Sequence, residues 1–323
     1  MAELLSQGAS TTLFTDPEFL DVVASTYFPG QQARPDDYKV AGQVFRLLTV
    51  QGHGPLTKQT FIDMHEPLHP ATPGLQLPAL RRLECVAQAA VPLAAWAAEP
   101  GAPQRLGAPT LIWSTVSSWD DFAGSLRTRH FFVEDQRHGR QLKALLGEPE
   151  YRDDDTGADV LPTCMAWKSA RDREARRPEL FAVQANRQFF AALRSHGLLR
   201  ASTLRAGGAL LAVSLGALHQ GRCSGWVFAF NPDRSLRKYS LGRRLLIEML
   251  ASSCRAGHRE FDLSIGLEPY KLDLATHVRP IGPIGAPPVA VRLADAGRTL
   301  LHRLPWCAGP ARALKGWLQT TRG

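Results

Sequence analysis

Residues 198–230 constrain the fold more than any other stretch, because three apolar runs follow one another there with almost nothing between them. Residues 198–204, 209–219 and 223–230 read as strands, joined by turns at Gly207-Gly208 and Gln220-Gly221 and closed by Asn231-Pro232-Asp233. Connections this short join only antiparallel neighbours, so the segment is a three-stranded meander. Ser240 then stands at the start of a helix whose apolar positions Leu241, Leu245 and Met249, with Leu246, Leu250 and Cys254, recur every four residues as far as Gly257. A further strand, 260–265, alternates Phe261, Leu263 and Ile265 with Asp262 and Ser264. Its polar face must meet water, a ligand or a partner.

Upstream, the spacing predicts a helix over 178–196 that carries Phe189, Phe190 and Leu193 and ends at Gly197. A first helix begins at Pro17, capped by Thr15 or Asp16, and residues 44–50 with Gly52-His53-Gly54 read as a hairpin. Residues 80–98 read as helical; their most apolar part, 85–98, is too short for a membrane span and contains Gln88 and Pro92. A buried strand follows at 111–113, and then a charged surface helix pair over 117–146. The acidic, turn-rich stretch 148–159 reads as a loop and marks the expected junction between two domains. The expected organisation is a first half over 1–150, a second over 151–290 and a basic tail over 291–323. A chain of 323 residues has room for two such cores.

A net charge of +8 favours polyanionic partners: nucleotide cofactors, RNA or anionic lipid headgroups. The N-terminal residues lack a basic start followed by an apolar run, so a cytoplasmic location is expected. Five scattered cysteines without a CxxC pair read as reduced thiols. His65-Glu66-Pro67-Leu68-His69 satisfies the HExxH pattern, but Pro67 and Pro70 oppose the helix that zinc ligation requires, and no metal site is expected. The tail interleaves Arg298, Arg303, Arg312, Lys315 and Arg322 with leucines and tryptophans, a pattern suited to packing on the second domain or to peripheral contact with the inner membrane.

Two clusters offer chemistry. In Arg237-Lys238-Tyr239-Ser240-Leu241-Gly242-Arg243-Arg244, cations sit where a helix N-terminus already carries positive partial charge. That costs the isolated helix a few tenths to about 1 kcal/mol, and a bound polyanion reverses the sign. The alternative is a solvated basic turn. In residues 262–271, a strand runs into a loop bearing Asp262, Glu268, Tyr270 and Lys271, which supply a base, an acid and an anion contact. The alternative there is an ordinary strand end.

In this order the segments resemble the GNAT-superfamily acetyltransferases related to the CelD proteins of cellulose and exopolysaccharide biosynthesis, themselves similar to the FemAB transferases. The resemblance rests on Ser118-Trp119-Asp120-Asp121-Phe122, the stretch from Trp167-Lys168 to Arg177, the Phe189-Phe190 helix, and Ala206-Gly207-Gly208. It continues through Tyr239-Ser240-Leu241-Gly242, Phe261-Asp262-Leu263 and Gly266-Leu267-Glu268-Pro269-Tyr270-Lys271. It covers roughly 110–276, and its last two pieces are the most specific. The resemblance implies an α+β fold with a mixed sheet, built as tandem GNAT-like halves of which the first is degenerate. It implies acetyl-CoA or another acyl-CoA as co-substrate, held at Tyr239, Ser240, Leu241, Gly242, Arg243 and Arg244. The superfamily's usual Q/R-x-x-G-x-G/A pattern is only loosely echoed there. The acceptor is a small polar molecule such as a sugar; Fem enzymes take aminoacyl-tRNA instead, and a non-catalytic assembly subunit of the same fold is a third reading. Direct attack on the thioester is the implied chemistry, with Asp262 the first candidate base and Glu268 the second. Tyr270 would protonate the departing thiolate and Lys271 would hold a phosphate or the oxyanion. Trp167, Arg177, His219 and Trp226 are candidate acceptor contacts, although core packing is the commoner fate of tryptophan.

Overall fold

A computed structural model describes residues 12–56, 64–68, 82–99, 106–127, 130–286 and 293. Among these, the sheet that positions the site is the meander enlarged on both sides. Strands β8 (Arg200–Ala206), β9 (Ala209–His219) and β10 (Arg222–Phe230) pair antiparallel, as their short turns require, with one register shift in each pairing. Helix α7 (Leu241–Arg255) then carries the chain over to β11 (Glu260–Asp262), which pairs parallel with β10. The opposite edge continues through β6 (Leu106–Ile112), β12 (His277–Gly285) and β4 (Arg82–Ala87). With β5 (Val91–Pro92) and β7 (Glu150–Arg152), nine described strands form one mixed sheet in an α+β fold. A small separate sheet holds β1 (Ala33–Val40), β2 (Gln43–Val50) and β3 (Gly54–Pro55).

Helices cover both faces of the large sheet. On one face α1 (Pro17–Tyr27), α5 (Val160–Glu174) and α6 (Gln184–Ser195) bury Phe19, Cys164, Phe189 and Phe190 against Val213, Leu215 and Val227. On the other, α3 (Trp119–Arg127), α4 (His130–Leu146) and α7 bury Leu126, Leu142, Leu245 and Met249 against Leu204, Leu211 and Phe261. Truncating a core phenylalanine such as Phe189 to alanine is expected to cost about 3–5 kcal/mol. The Asp16 carboxylate caps α1 by accepting from the Glu18 and Phe19 amides at 2.9 and 3.3 Å.

Several expectations are corrected. Residues 82–98 are not one helix: β4 and β5 precede a single short helix, α2 (Leu93–Ala98). Pro92 removes a donor where the helix would need one, and Leu83 and Val86 instead pack with Tyr38, Phe45 and Leu47. The acidic stretch 148–159 contains β7, because Arg205 and Arg200 neutralise Asp155 and Asp153 beside it. The helix expected from 178 begins at Gln184, after a 3-10 turn at Leu180–Ala182. Trp113 starts a 3-10 turn at the end of β6 and is not part of the strand. His65 forms a β-bridge with Val86 and Glu66 enters an ion cluster, so this part of the HExxH match is not helical; His69 lies outside the described residues. The tail 291–323 also lies outside them, apart from Leu293. No helix of the described residues is long and apolar enough to cross a membrane.

Candidate active site

Strands β10 and β11 pair only over Arg222–Ser224 and Glu260–Asp262, and then they separate. Two local features cause the split. The register of β10 against β9 slips between Gly225 and Val227, and Ser264 takes a left-handed conformation (φ 63°) that ends β11 at Asp262. Strand 260–265 is therefore shorter than its alternation suggests, and Ile265 packs on the opposite core from Phe261 and Leu263. The Ser264 hydroxyl donates to the Gly225 carbonyl at 3.0 Å and ties the apex of the wedge. Beyond it, among the described residues, the outer half of β10 has only β9 as a strand neighbour.

A cleft of ≈ 630 Å³ occupies the open end of this wedge. One wall is α5, which contributes Trp167, Ala170, Arg171 and Glu174, a single helical stripe at i, i+3, i+4 and i+7. The other walls are Phe228 and Phe230 of β10, the start of α7 from Ser240 to Arg243, and Tyr270 on the short helix α8 (Pro269–Leu274). The Arg171 guanidinium lies 4.2 Å above the Phe230 ring. A Cβ on Gly242 would meet the same ring at 3.2 Å, so glycine there seats the first turn of α7 directly against Phe230. Arg171 and the α7 N-terminus thus meet around one aromatic ring.

The structure separates the predicted cofactor residues. Ser240, Leu241, Gly242 and Arg243 line the cleft. Tyr239 is buried beneath it against His138, and Arg244 turns back to donate from Nε to the Tyr239 carbonyl at 2.9 Å. Ser240 does not cap α7 with its side chain; its backbone is left-handed (φ 51°) and its carbonyl accepts from the Arg243 and Arg244 amides. Among the acceptor candidates, Trp167 lines the cleft. Arg177 lies at the C-terminus of α5, 3.3 Å from Asp172, while Trp226 stacks on Phe14.

The loop after β11 orders its own charges. Lys271 is buried, donates to the Ile265 carbonyl at 3.0 Å and pairs with Glu268 at 3.0 Å, which leaves its ammonium committed to the loop. Burial pushes the Glu268 carboxyl up, but the hydrogen bond and charge of Lys271 together with a backbone hydrogen bond outweigh this, and the net shift is downward. A Cβ on Gly266 would strike the Glu268 carboxylate at 2.6 Å, which accounts for the glycine in G-x-E-x-Y-K. Tyr270 alone of this group reaches the cleft; burial and the Glu268 charge raise its pKa, so it is a phenol at neutral pH.

Asp262 faces a different space. It shares a cavity of ≈ 20 Å³, room for about one water, with His219, Ser224, Ser264 and Trp226 under residues 12–14. The expected water-facing carboxylate is buried, and burial raises its pKa against the opposing charges of Arg222 and Arg279. Behind it, Arg222 pairs with Glu260 and, at 2.7 Å, with Glu66, while Arg279 pairs with Glu260 at 2.8 Å. These four are distant in sequence and no spacing announces them. Arg171, Glu174, Phe228 and Phe230 were also missed, although the α5 stripe carried a readable signal for the first two.

A family model described as acetyltransferase (GNAT) domain matches residues 133–272, the segment that carries the cleft. No curated protein matches the chain. Among solved structures it is similar to FemX at 9% identity and a TM-score of 0.52, over 87% of this chain and 93% of that one. It is also similar to L-PGS from Bacillus licheniformis (9% identity, TM-score 0.46, 88% and 96% covered). A tandem GNAT protein of clavulanic acid biosynthesis gives 12% identity and a TM-score of 0.37, with 83% and 88% covered. Residues 133–272, which carry the cleft, are thus similar to an acetyltransferase (GNAT) domain, and the likeness to FemX is one of fold.

Proposed function

We propose that the protein is an acyl-CoA-dependent N- or O-acyltransferase that acts on a sugar or another small polar acceptor in polysaccharide or envelope biosynthesis. The observation that carries this reading is the cleft itself: an aromatic slot in the split sheet that ends at the α7 N-terminus, with a protonated phenol inside it. A helix start flanked by Arg243 suits a pyrophosphate. The outer half of β10 offers an edge to an extended pantetheine arm.

In this reading the acceptor's lone pair forms the new bond to the thioester carbonyl carbon and the C–S bond breaks. Tyr270 gives its proton to the leaving thiolate, and the proton lost by the acceptor passes to solvent through the open cleft, since Asp262 lies in the separate small cavity. Lys271 keeps the Tyr270 loop in place through Ile265 and Glu268. Acceptor-dependent release of thiol from acetyl-CoA, lost in Tyr270→Phe, is the expected assay result across a panel of amino- and hydroxy-sugars.

The Fem-type alternative, aminoacyl transfer from tRNA, draws support from the left-handed Ser240 that stands where a glycine-rich phosphate loop is usual. Thiol release absent with every acyl-CoA, together with aminoacyl transfer abolished by nuclease, would replace the first reading with the second.

A further inference from the structure

Glu174 is the only carboxylate among the described residues that line the cleft, and it stands in a place where a polyanion's donor would find it repulsive. It does not point away. Arg237 Nη2 donates to both of its oxygens, at 2.6 and 2.9 Å, and so joins the end of α5 to the turn that precedes α7. Both side chains are about half exposed, 49% for Arg237 and 55% for Glu174. An ion pair this exposed holds weakly, because water and salt screen it. Arg237 is thus an anion site already filled by a carboxylate of the chain, at a cleft whose other cations, Arg171 and Arg243, lie along the same walls.

We infer that Glu174 stands in for a phosphate of the donor: on binding, a phosphate group takes Arg237 and Glu174 is released to solvent. This rests on the acyl-CoA reading and adds a modulator of donor selectivity to it. A phosphate carries more charge and more acceptor oxygens than a carboxylate, so it wins the exchange. A ligand without phosphates leaves the pair closed and gains nothing from Arg237. Glu174 therefore narrows the gap between phosphate-bearing and phosphate-free donors, because only the former must displace it from Arg237.

The test is calorimetric titration of the full chain and of Glu174→Gln with CoA, ADP and S-acetylpantetheine. The glutamine variant is expected to bind CoA and ADP roughly 2–5-fold more tightly, the range for an exposed ion pair, and S-acetylpantetheine with unchanged affinity. In an Arg237→Gln background the same substitution is expected to give no such gain. CoA affinity equal or weaker in Glu174→Gln, while the parent binds CoA, would overturn the inference and leave the acyl-CoA reading standing. Equal tightening toward S-acetylpantetheine would overturn it as well, since the effect would not be exchange at a phosphate site. Absence of CoA binding by both proteins would overturn the acyl-CoA reading and this inference together.

Discussion

Strand β10 begins and ends in two opposite electrostatic settings. At its start Arg222 is buried among Glu66 and Glu260, with Arg279 completing a cluster in which each cation has its anion. At its end Phe230 lies between Arg171 and the first turn of α7, in an open cleft where three arginines face one carboxylate. Both ends border a cavity of similar volume, ≈ 640 Å³ beside Arg222 and ≈ 630 Å³ beside Phe230, so the contrast lies in charge balance. Among the described residues, each arginine lining the first has a carboxylate partner, whereas the second places three arginines beside one carboxylate, a setting that suits a polyanion.

The sharpest way to break that contrast is to remove chemistry from the arginine-rich end. Tyr270→Phe is expected to lower turnover about 10²–10⁴-fold with CoA affinity unchanged, read from steady-state rates beside a titration. Asp262→Asn tests the apex of the wedge, where the carboxyl is buried outside the cleft. Because burial raises the folded-state pKa of Asp262, its favourable contribution to stability exists only below the unfolded carboxyl pKa and is lost as pH rises through the folded value. The asparagine variant is therefore expected to keep turnover at pH 7 and to unfold in urea no earlier than the parent. A lower midpoint would mark Asp262 as a structural anion.

The charge-balanced end predicts the reverse pattern. Arg222→Met leaves Glu66 and Glu260 buried without that partner and is expected to cost about 3–5 kcal/mol by urea denaturation. Glu260 is held down at about 2: burial alone would raise it, and Arg222 and Arg279 outweigh burial. Its contribution is present above the unfolded carboxyl pKa and is lost as pH falls toward 2, so the parent's stability should drop across that window and the variant's should drop less.

Smaller effects sharpen the contrast. Arg171→Gln is expected to weaken CoA binding about tenfold, the scale of one charged hydrogen bond. Arg177→Ala, three residues beyond the cleft stripe and paired with Asp172, should change CoA affinity by less than about twofold.

How much of this was legible in the sequence follows from the range of the interactions. The meander, the helix over 241–255 and the cleft residues Ser240 to Arg243 rest on local periodicity and turn chemistry, which a sequence displays directly. The α5 stripe was equally local and lay within the stretch from Trp167 to Arg177 that carried the resemblance, but only Trp167 and Arg177 were singled out there as acceptor contacts. The short β11, the burial of Asp262 and the commitment of Lys271 to its own loop depend on a left-handed Ser264 and on strands that arrive from elsewhere in the chain. Alternation around Phe261 cannot reveal them. Residues 85–98 misled because an apolar run of that length serves a helix or a buried strand equally well.

The central claim is that the α7 N-terminus in the cleft receives the donor's phosphates, and the two neighbouring arginines test it against each other. Arg243 lines the cleft, while Arg244 is turned to the Tyr239 carbonyl. Calorimetric titration with acetyl-CoA should give saturable binding in the parent, roughly tenfold weaker in Arg243→Ala and nearly unchanged in Arg244→Ala. No binding by the parent, or equal loss in both variants, would contradict the account.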